Sequence, residues 1–178
     1  MPVASSDILL KLSAPPASAG NTAAGVVGQS LGKYAATTEV PDGGLHGLFP
    51  KVTGSQNAAS QVDYACVFVH NAHATDPLSG AVVYLPTQVS GGTTVAVGVD
   101  PTAASAIGSS TAQAVTISTP TTAPAGVTFS APTDASSGLA LGDLPSGQCR
   151  AIWIRRAAAN TSALVGDGVT IAVTGDNL

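Results

Sequence analysis

Residues 62–70 read VDYACVFVH, and residues 148–156 read QCRAIWIRR. Both stretches are rich in β-branched and aromatic residues, which favour strands. Residues 62–70 are apolar on both alternating faces, which predicts a strand in the middle of a sheet. Alternation along 148–156 predicts one face with Ala151, Trp153 and Arg155 and another with Arg150, Ile152, Ile154 and Arg156.

Five further short strands are predicted where apolar or alternating runs are bounded by glycine and proline: 80–86, 93–99, 113–118, 126–130 and 169–174. The turn at 90–92 predicts a hairpin between the first two of these, and a turn is expected at 143–147. Seven short strands without an amphipathic helix predict an all-β fold, a β-sandwich of immunoglobulin-like or jelly-roll type. Trp153 follows both cysteines, so the order found in antibody domains is absent.

Residues 1–60 differ from the rest because glycine and proline recur too often for a helix or a long strand. We expect an extended N-terminal arm here, with a short strand at 7–12, and a β-sandwich domain over 61–178. A flexible tail is the alternative, but it would leave several apolar side chains in water. We therefore favour docking of the arm on this domain or on a neighbouring protein. The apolar residues concerned are Leu31, Tyr34, Leu45, Leu48 and Phe49.

The chain has 178 residues, of which 9% are charged, and its net charge is −4. With Glu39 as its one glutamate, it lacks the composition of coiled coils and helical bundles. Half of its six basic residues are Arg150, Arg155 and Arg156, too few to hold a phosphate backbone. We therefore expect no nucleic-acid partner. So little charge suits a surface that packs closely against neighbours.

The cysteines, Cys66 and Cys149, lie in two predicted strands. A disulfide between them is compatible with the sequence, but two buried thiols acting as small apolar residues are the favoured interpretation.

His70 and His73 bring two imidazoles together at the end of a predicted strand. A metal site would need a further ligand, which Asp63 or Asp76 could supply, but this spacing outside a helix is a weak metal signal. Hydrogen bonding in the loop, or a place in a subunit contact, is the favoured interpretation. We expect no metal and no cofactor.

Catalytic motifs are also missing: the sequence has neither a GxSxG nucleophile turn nor a phosphate-binding loop. Asp100 and Asp134 occur in proline-containing contexts typical of turns. We expect that the protein is not an enzyme.

The three arginines around Trp153 allow two interpretations. They are either the ends of a core strand whose charged heads reach water, or ion-pairing groups at a subunit contact, where Arg and Trp are enriched.

Four stretches carry a family resemblance: 3–8 with 11–13 (VASSDI, KLS), 66–73 (CVFVHNAH), 123–130 (APAGVTFS) and 143–156 (DLPSGQCRAIWIRR). In these the sequence resembles small virion structural proteins of tailed bacteriophages, of the head decoration or cement type. The resemblance covers the first dozen residues and most of the chain from residue 60 onward. It carries no catalytic residues.

The resemblance implies a virion component and leaves its position in head, neck or tail open. We expect a capsid decoration protein that binds and stabilises the outer capsid surface through its arm and its β-domain. The expected partners are the major capsid protein and further copies of this chain, as a dimer or trimer on the capsid lattice. We expect synthesis in the host cytoplasm, localisation on the virion and no membrane partner, because the apolar runs fall short of the ~20 residues of a spanning helix. The alternative is a tail, baseplate or fibre-associated module that binds glycans. The predicted interface residues are Leu31, Tyr34, Leu45, Leu48, Phe49, His70, His73, Arg150, Arg155 and Arg156.

Overall fold

The computed structural model describes residues 2–18 and 20–177. Its strands are β1 (Ile8–Ser13), β2 (Ala35–Glu39), β3 (Val62–Asn71), β4 (Leu78–Gln88), β5 (Thr94–Val99), β6 (Ser105–Ala106), β7 (Leu139–Leu144), β8 (Gln148–Ala157) and β9 (Val169–Asn177). Short 3-10 helices occupy Ser5–Asp7 and Gly20–Thr22, and a short helix α1 occupies Gly54–Ala58. Within the described ranges, no helix has the length and apolar character needed to cross a membrane.

The strands form two antiparallel sheets. The larger has the order β2-β1-β3-β8-β5, with β6 also pairing with β8, and the smaller has the order β7-β4-β9. The predicted all-β, sandwich-like fold is therefore confirmed. β3 lies between β1 and β8, as its two apolar faces predict.

Two cores lie on opposite faces of the large sheet. Ile152 and Ile154 of β8 contribute to the core between the two sheets. Ala151 and Trp153 contribute to a second core on the outer face, which Ile117, Phe129 and other residues of the β6–β7 connection cover. The predicted division of β8 into two faces is confirmed, and burial on both sides explains why β3 and β8 are almost continuously apolar.

The extended N-terminal arm is not confirmed, because β1 and β2 are strands of the large sheet. β1 pairs with β3 from Ile8 opposite Asn71 to Leu12 opposite Val67. The Ser30 hydroxyl accepts from the Ser13 N–H at 2.7 Å and donates to the Cys66 carbonyl at 2.6 Å. Glycine and proline in this region form turns around short paired strands.

The predicted hairpin across residues 90–92 is wrong, because β4 and β5 belong to different sheets. The Gln88 side chain bonds to both the N–H and the carbonyl of Val95, at 3.0 and 2.9 Å. The chain therefore crosses between sheets at this turn, and β5 pairs with β8 instead.

Two other predicted strands reduce to single bridges, Gly32 with Thr116 and Val97 with Ser130. Their segments, 113–118 and 126–130, contribute to the outer core and are separated by a stretch that contains Pro120 and Pro124. The turn expected at 143–147 begins later, because β7 occupies Leu139–Leu144.

Candidate interaction surface

Most of the apolar residues predicted for the arm pack within the chain. Leu31 packs against the outer core, and Leu48 and Phe49 pack against the core between the sheets. The Tyr34 hydroxyl donates to the Ser110 carbonyl at 2.9 Å. Leu45 alone among these five is largely exposed, at 69%.

Arg156 forms a buried ion pair within the chain. Its Nη2 lies 2.6 Å from Asp63 Oδ2, and the two side chains are 10% and 9% exposed. Nη1 donates to the Pro50 carbonyl at 2.7 Å, and the guanidinium lies 4.5 Å from the centre of the Phe49 ring. Two of the predicted interface residues, Phe49 and Arg156, are therefore in contact within the chain. This contact and the bond to Pro50 attach the segment before α1 to β8.

A cavity of about 220 Å³ adjoins this ion pair. Phe49, Pro50, Tyr64 and Pro120 are among its lining residues. Asp63, which also lines it, is paired with Arg156, so the cavity presents no net charge and suits an uncharged apolar group.

The other two arginines are less fully engaged. Arg150 donates through Nη1 to the Leu141 carbonyl, and its buried Nε lacks a hydrogen-bond partner among the described residues. Arg155 is half-buried, and no ion pair or hydrogen bond of its side chain occurs in the described part of the chain.

His70 and His73 lie at the end of β3 opposite to Asp63. His73 Nδ1 accepts from the N–H groups of Thr75 and Asp76 at 3.3 and 2.9 Å, which is the loop hydrogen bonding expected under one of the two favoured interpretations. Its place in a subunit contact stays a prediction. His70 Nδ1 is buried without a partner among the described residues. Burial lowers the pKa of His70, with a further lowering from Lys11 and an opposing effect of Glu39.

A metal site at this end has no geometric support. Among residues 2–18 and 20–177, no group of three or more His, Cys, Asp or Glu side chains is placed to hold a metal ion.

The cysteines are free and buried. Cys66 lies opposite Trp153 and Cys149 lies opposite His70, so they are four positions apart along the β3–β8 pair. This offset is about 13 Å, too far for a disulfide. Burial raises the pKa of Cys66 well above its usual value and that of Cys149 to about 12.

Asp100 and Asp134 both accept hydrogen bonds from nearby backbone N–H groups, as their turn contexts predict, and Asp100 also accepts from two distant residues. Asp100 is buried and accepts from Thr102 N–H at 2.9 Å, from Val115 N–H at 3.0 Å and from Trp153 Nε1 at 2.7 Å. Asp134 accepts from Ser136 and Ser137, and these bonds lower the pKa of its carboxyl.

One exposed apolar surface was not anticipated from the sequence. Val89, Leu164 and Val165 are 41%, 43% and 92% exposed, on the segments that follow β4 and β8. These segments are joined, since Val89 N–H donates to the Gly168 carbonyl at 3.0 Å and the Thr161 hydroxyl donates to the Gly91 carbonyl at 3.2 Å. We call Val89, Leu164 and Val165 the loop-end surface.

The signal for this surface was present but weak. Residues 163–165 read ALV inside a stretch of small polar residues, which resembles an ordinary loop. Asp167 is the one charged residue between 157 and 169, and its carboxylate accepts from both the N–H and the hydroxyl of Thr93 at 2.8 and 2.7 Å. The loop-end surface is therefore almost free of available charge.

The sequence matches no protein-family model, and neither a curated protein nor a solved structure matches it.

Proposed function

We propose that this chain is a virion structural protein that binds and stabilises the outer surface of a phage capsid, with the loop-end surface as the attachment site. The observation that carries the proposal is the exposure of Leu164 and Val165 on a loop that lacks available charge. Exposed aliphatic groups on a neutral background favour burial against another protein.

The loop is held in place before it meets a partner. Asn57 Nδ2 in α1 donates to the Thr161 carbonyl at 2.6 Å, and Thr93 bonds to Asp167 from the other side. A loop ordered in advance loses less conformational entropy on binding. Fully burying an exposed aliphatic side chain contributes roughly 1.5–3 kcal/mol. Val165, at 92% exposed, can gain nearly all of this, and Leu164, at 43% exposed, can gain less than half.

The interior of the chain supports binding in preference to catalysis. The Cys66 and Cys149 thiols are buried and their raised pKa values keep them protonated at neutral pH, so neither is an activated nucleophile. The Asp63 carboxylate is buried in an ion pair with Arg156, so it is poorly placed to act as a general base.

A glycan-binding tail or fibre module has less support. Glycan sites present exposed aromatic faces, whereas Trp153 and Phe68 are buried and Tyr64 packs on Phe129 with ring centres 5.5 Å apart. Binding of the purified chain to a glycan array would favour this alternative over capsid attachment.

The test is co-sedimentation of purified chain with capsids that lack it. Leu164→Ser combined with Val165→Ser should weaken attachment at least about ten-fold, because two apolar contacts are lost. Val26→Ser is the matched control, since Val26 is 45% exposed and follows a segment bonded to β2. Attachment unchanged in the double variant, or equally weakened in the control, would contradict the assignment of this surface.

Leu45→Ser tests the other exposed aliphatic residue, which belongs to the predicted arm. If this variant alone abolishes attachment, the contact lies on the segment between β2 and α1 and not on the loop-end surface.

A further inference from the structure

β9 is an edge strand of the small sheet. It pairs with β4 on one side, and in the described part of the chain no strand pairs with its other side. An open edge exposes backbone N–H and carbonyl groups that can accept a further strand.

The opposite edge of the same sheet, β7, is protected from pairing with a further strand. On β7, the Arg150 guanidinium donates to the Leu141 carbonyl and so occupies a backbone acceptor of this strand, and Asp143 carries an exposed charge. Charged groups of this kind protect a sheet edge from pairing. β9 has no charged residue before Asp176.

An apolar cleft accompanies the open edge. The small sheet has fewer strands than the large one, and beside β9 this leaves a space of about 190 Å³ lined by Ser5, Ile8, Leu10, Ile171 and Val173. A strand added to β9 would extend the small sheet over Ile8 and Leu10 and cover this cleft.

The sequence of β9 is self-complementary, which indicates the occupant. Residues 170–174 read TIAVT and are nearly symmetric about Ala172. Antiparallel pairing with a second copy about this point sets Thr170 opposite Thr174 and Ile171 opposite Val173. Ile171 and Val173 pack towards the core, whereas Thr170 and Thr174 are exposed, so each pair would share one face.

We propose that β9 pairs with β9 of a second copy of this chain about a twofold axis at Ala172, joining two three-stranded sheets into one of six strands. Threonine pairs and β-branched pairs are favourable cross-strand neighbours. In this register Asp176 lies opposite Gly168 of the partner subunit, so no like charges face each other. This dimerisation does not depend on binding to a capsid. If the chain proves to be a monomer, the proposed capsid attachment is unaffected.

Sedimentation velocity of the full chain between about 1 and 100 µM tests the proposal, since a dimer becomes more populated with concentration. Thr170→Asp with Thr174→Asp should weaken dimerisation at least about ten-fold, because each carboxylate then faces another across the axis. Thr170→Asp with Thr174→Lys should restore it, because the twofold axis sets residue 170 of one copy against residue 174 of the other. Ala140→Asp on the exposed face of β7 is the control and should dimerise like the unmodified chain.

Hydrogen exchange on the unmodified chain tests the same contact without a substitution. Among residues 170–174, the backbone amides that point away from β4 should gain protection as the dimer forms. A monomer throughout this concentration range overturns the proposal. The proposal is also overturned if the two aspartates leave dimerisation unchanged, or if Thr174→Lys does not restore it. Protection that is gained only outside residues 170–174 would overturn it as well.

Discussion

The Arg156–Asp63 ion pair offers a quantitative test of how the N-terminal region is fastened to the sandwich. Arg156→Ala removes the pair, the bond to the Pro50 carbonyl and the contact with the Phe49 ring. It also leaves the Asp63 carboxylate buried without a cationic partner, and uncompensated buried charge is the largest part of the cost.

Both side chains are about nine-tenths buried, so solvent screens the pair weakly. Breaking a buried ion pair by removing one partner costs about 3–5 kcal/mol. For a chain of this size, each kcal/mol lowers the melting temperature by roughly 2–4 °C. Arg156→Ala should therefore lower the melting temperature by about 6–20 °C.

Thermal and denaturant unfolding measure this effect, and Arg155→Ala is the matched control on the neighbouring residue. Arg155 has no ion pair among the described residues, so its loss should cost under about 1 kcal/mol. Exchanging both charges for apolar groups, in Asp63→Leu with Arg156→Met, should recover part of the stability because no charge is left unpaired. Equal losses for Arg155→Ala and Arg156→Ala, or a double variant worse than either single one, would refute the reasoning.

Three further predictions follow from buried groups. The lowered pKa of His70 means that the unfolded chain binds more protons just below its ordinary pKa of about 6.5, so stability should fall as pH drops through that range, and less so in His70→Gln. The buried Cys66 and Cys149 should resist a thiol reagent at about pH 8 until the chain unfolds, and fast labelling of the native protein would contradict their burial. Trp153→Phe should cost roughly 2–4 kcal/mol in denaturant unfolding, because Asp100 loses its Nε1 donor, and a neutral change would show that this bond contributes nothing.

The strands that are buried on both faces were predictable because local chemistry determines them. β3 and β8 are long, β-branched and apolar, and burial against two cores demands that composition. The division of β8 into two faces follows directly from strand alternation.

Pairing between distant segments was not predictable in the same way. Residues 90–92 have the composition of a hairpin turn, but Gln88 and the pairing of β5 with β8 direct the chain into the other sheet. The residues of β1 predicted a strand, but only hydrogen bonding to β3 shows that this strand belongs to the sandwich and not to an arm.

The contacts of the candidate site were likewise not predictable from the sequence, because they join residues that are far apart along the chain. Arg156 stood out in the sequence, yet Asp63 lies 93 positions away, and this separation conceals their pairing. Leu164 and Val165 resemble ordinary loop residues, and their exposure emerges only from the fold.

The most direct measurement of the proposed capsid role is a cryo-electron microscopy map of particles of the phage to which the proposal assigns this chain. We expect density for this β-sandwich in many copies on the outer capsid lattice, with the loop-end surface against the capsid protein. Density confined to the tail, or particles without this chain, would contradict it.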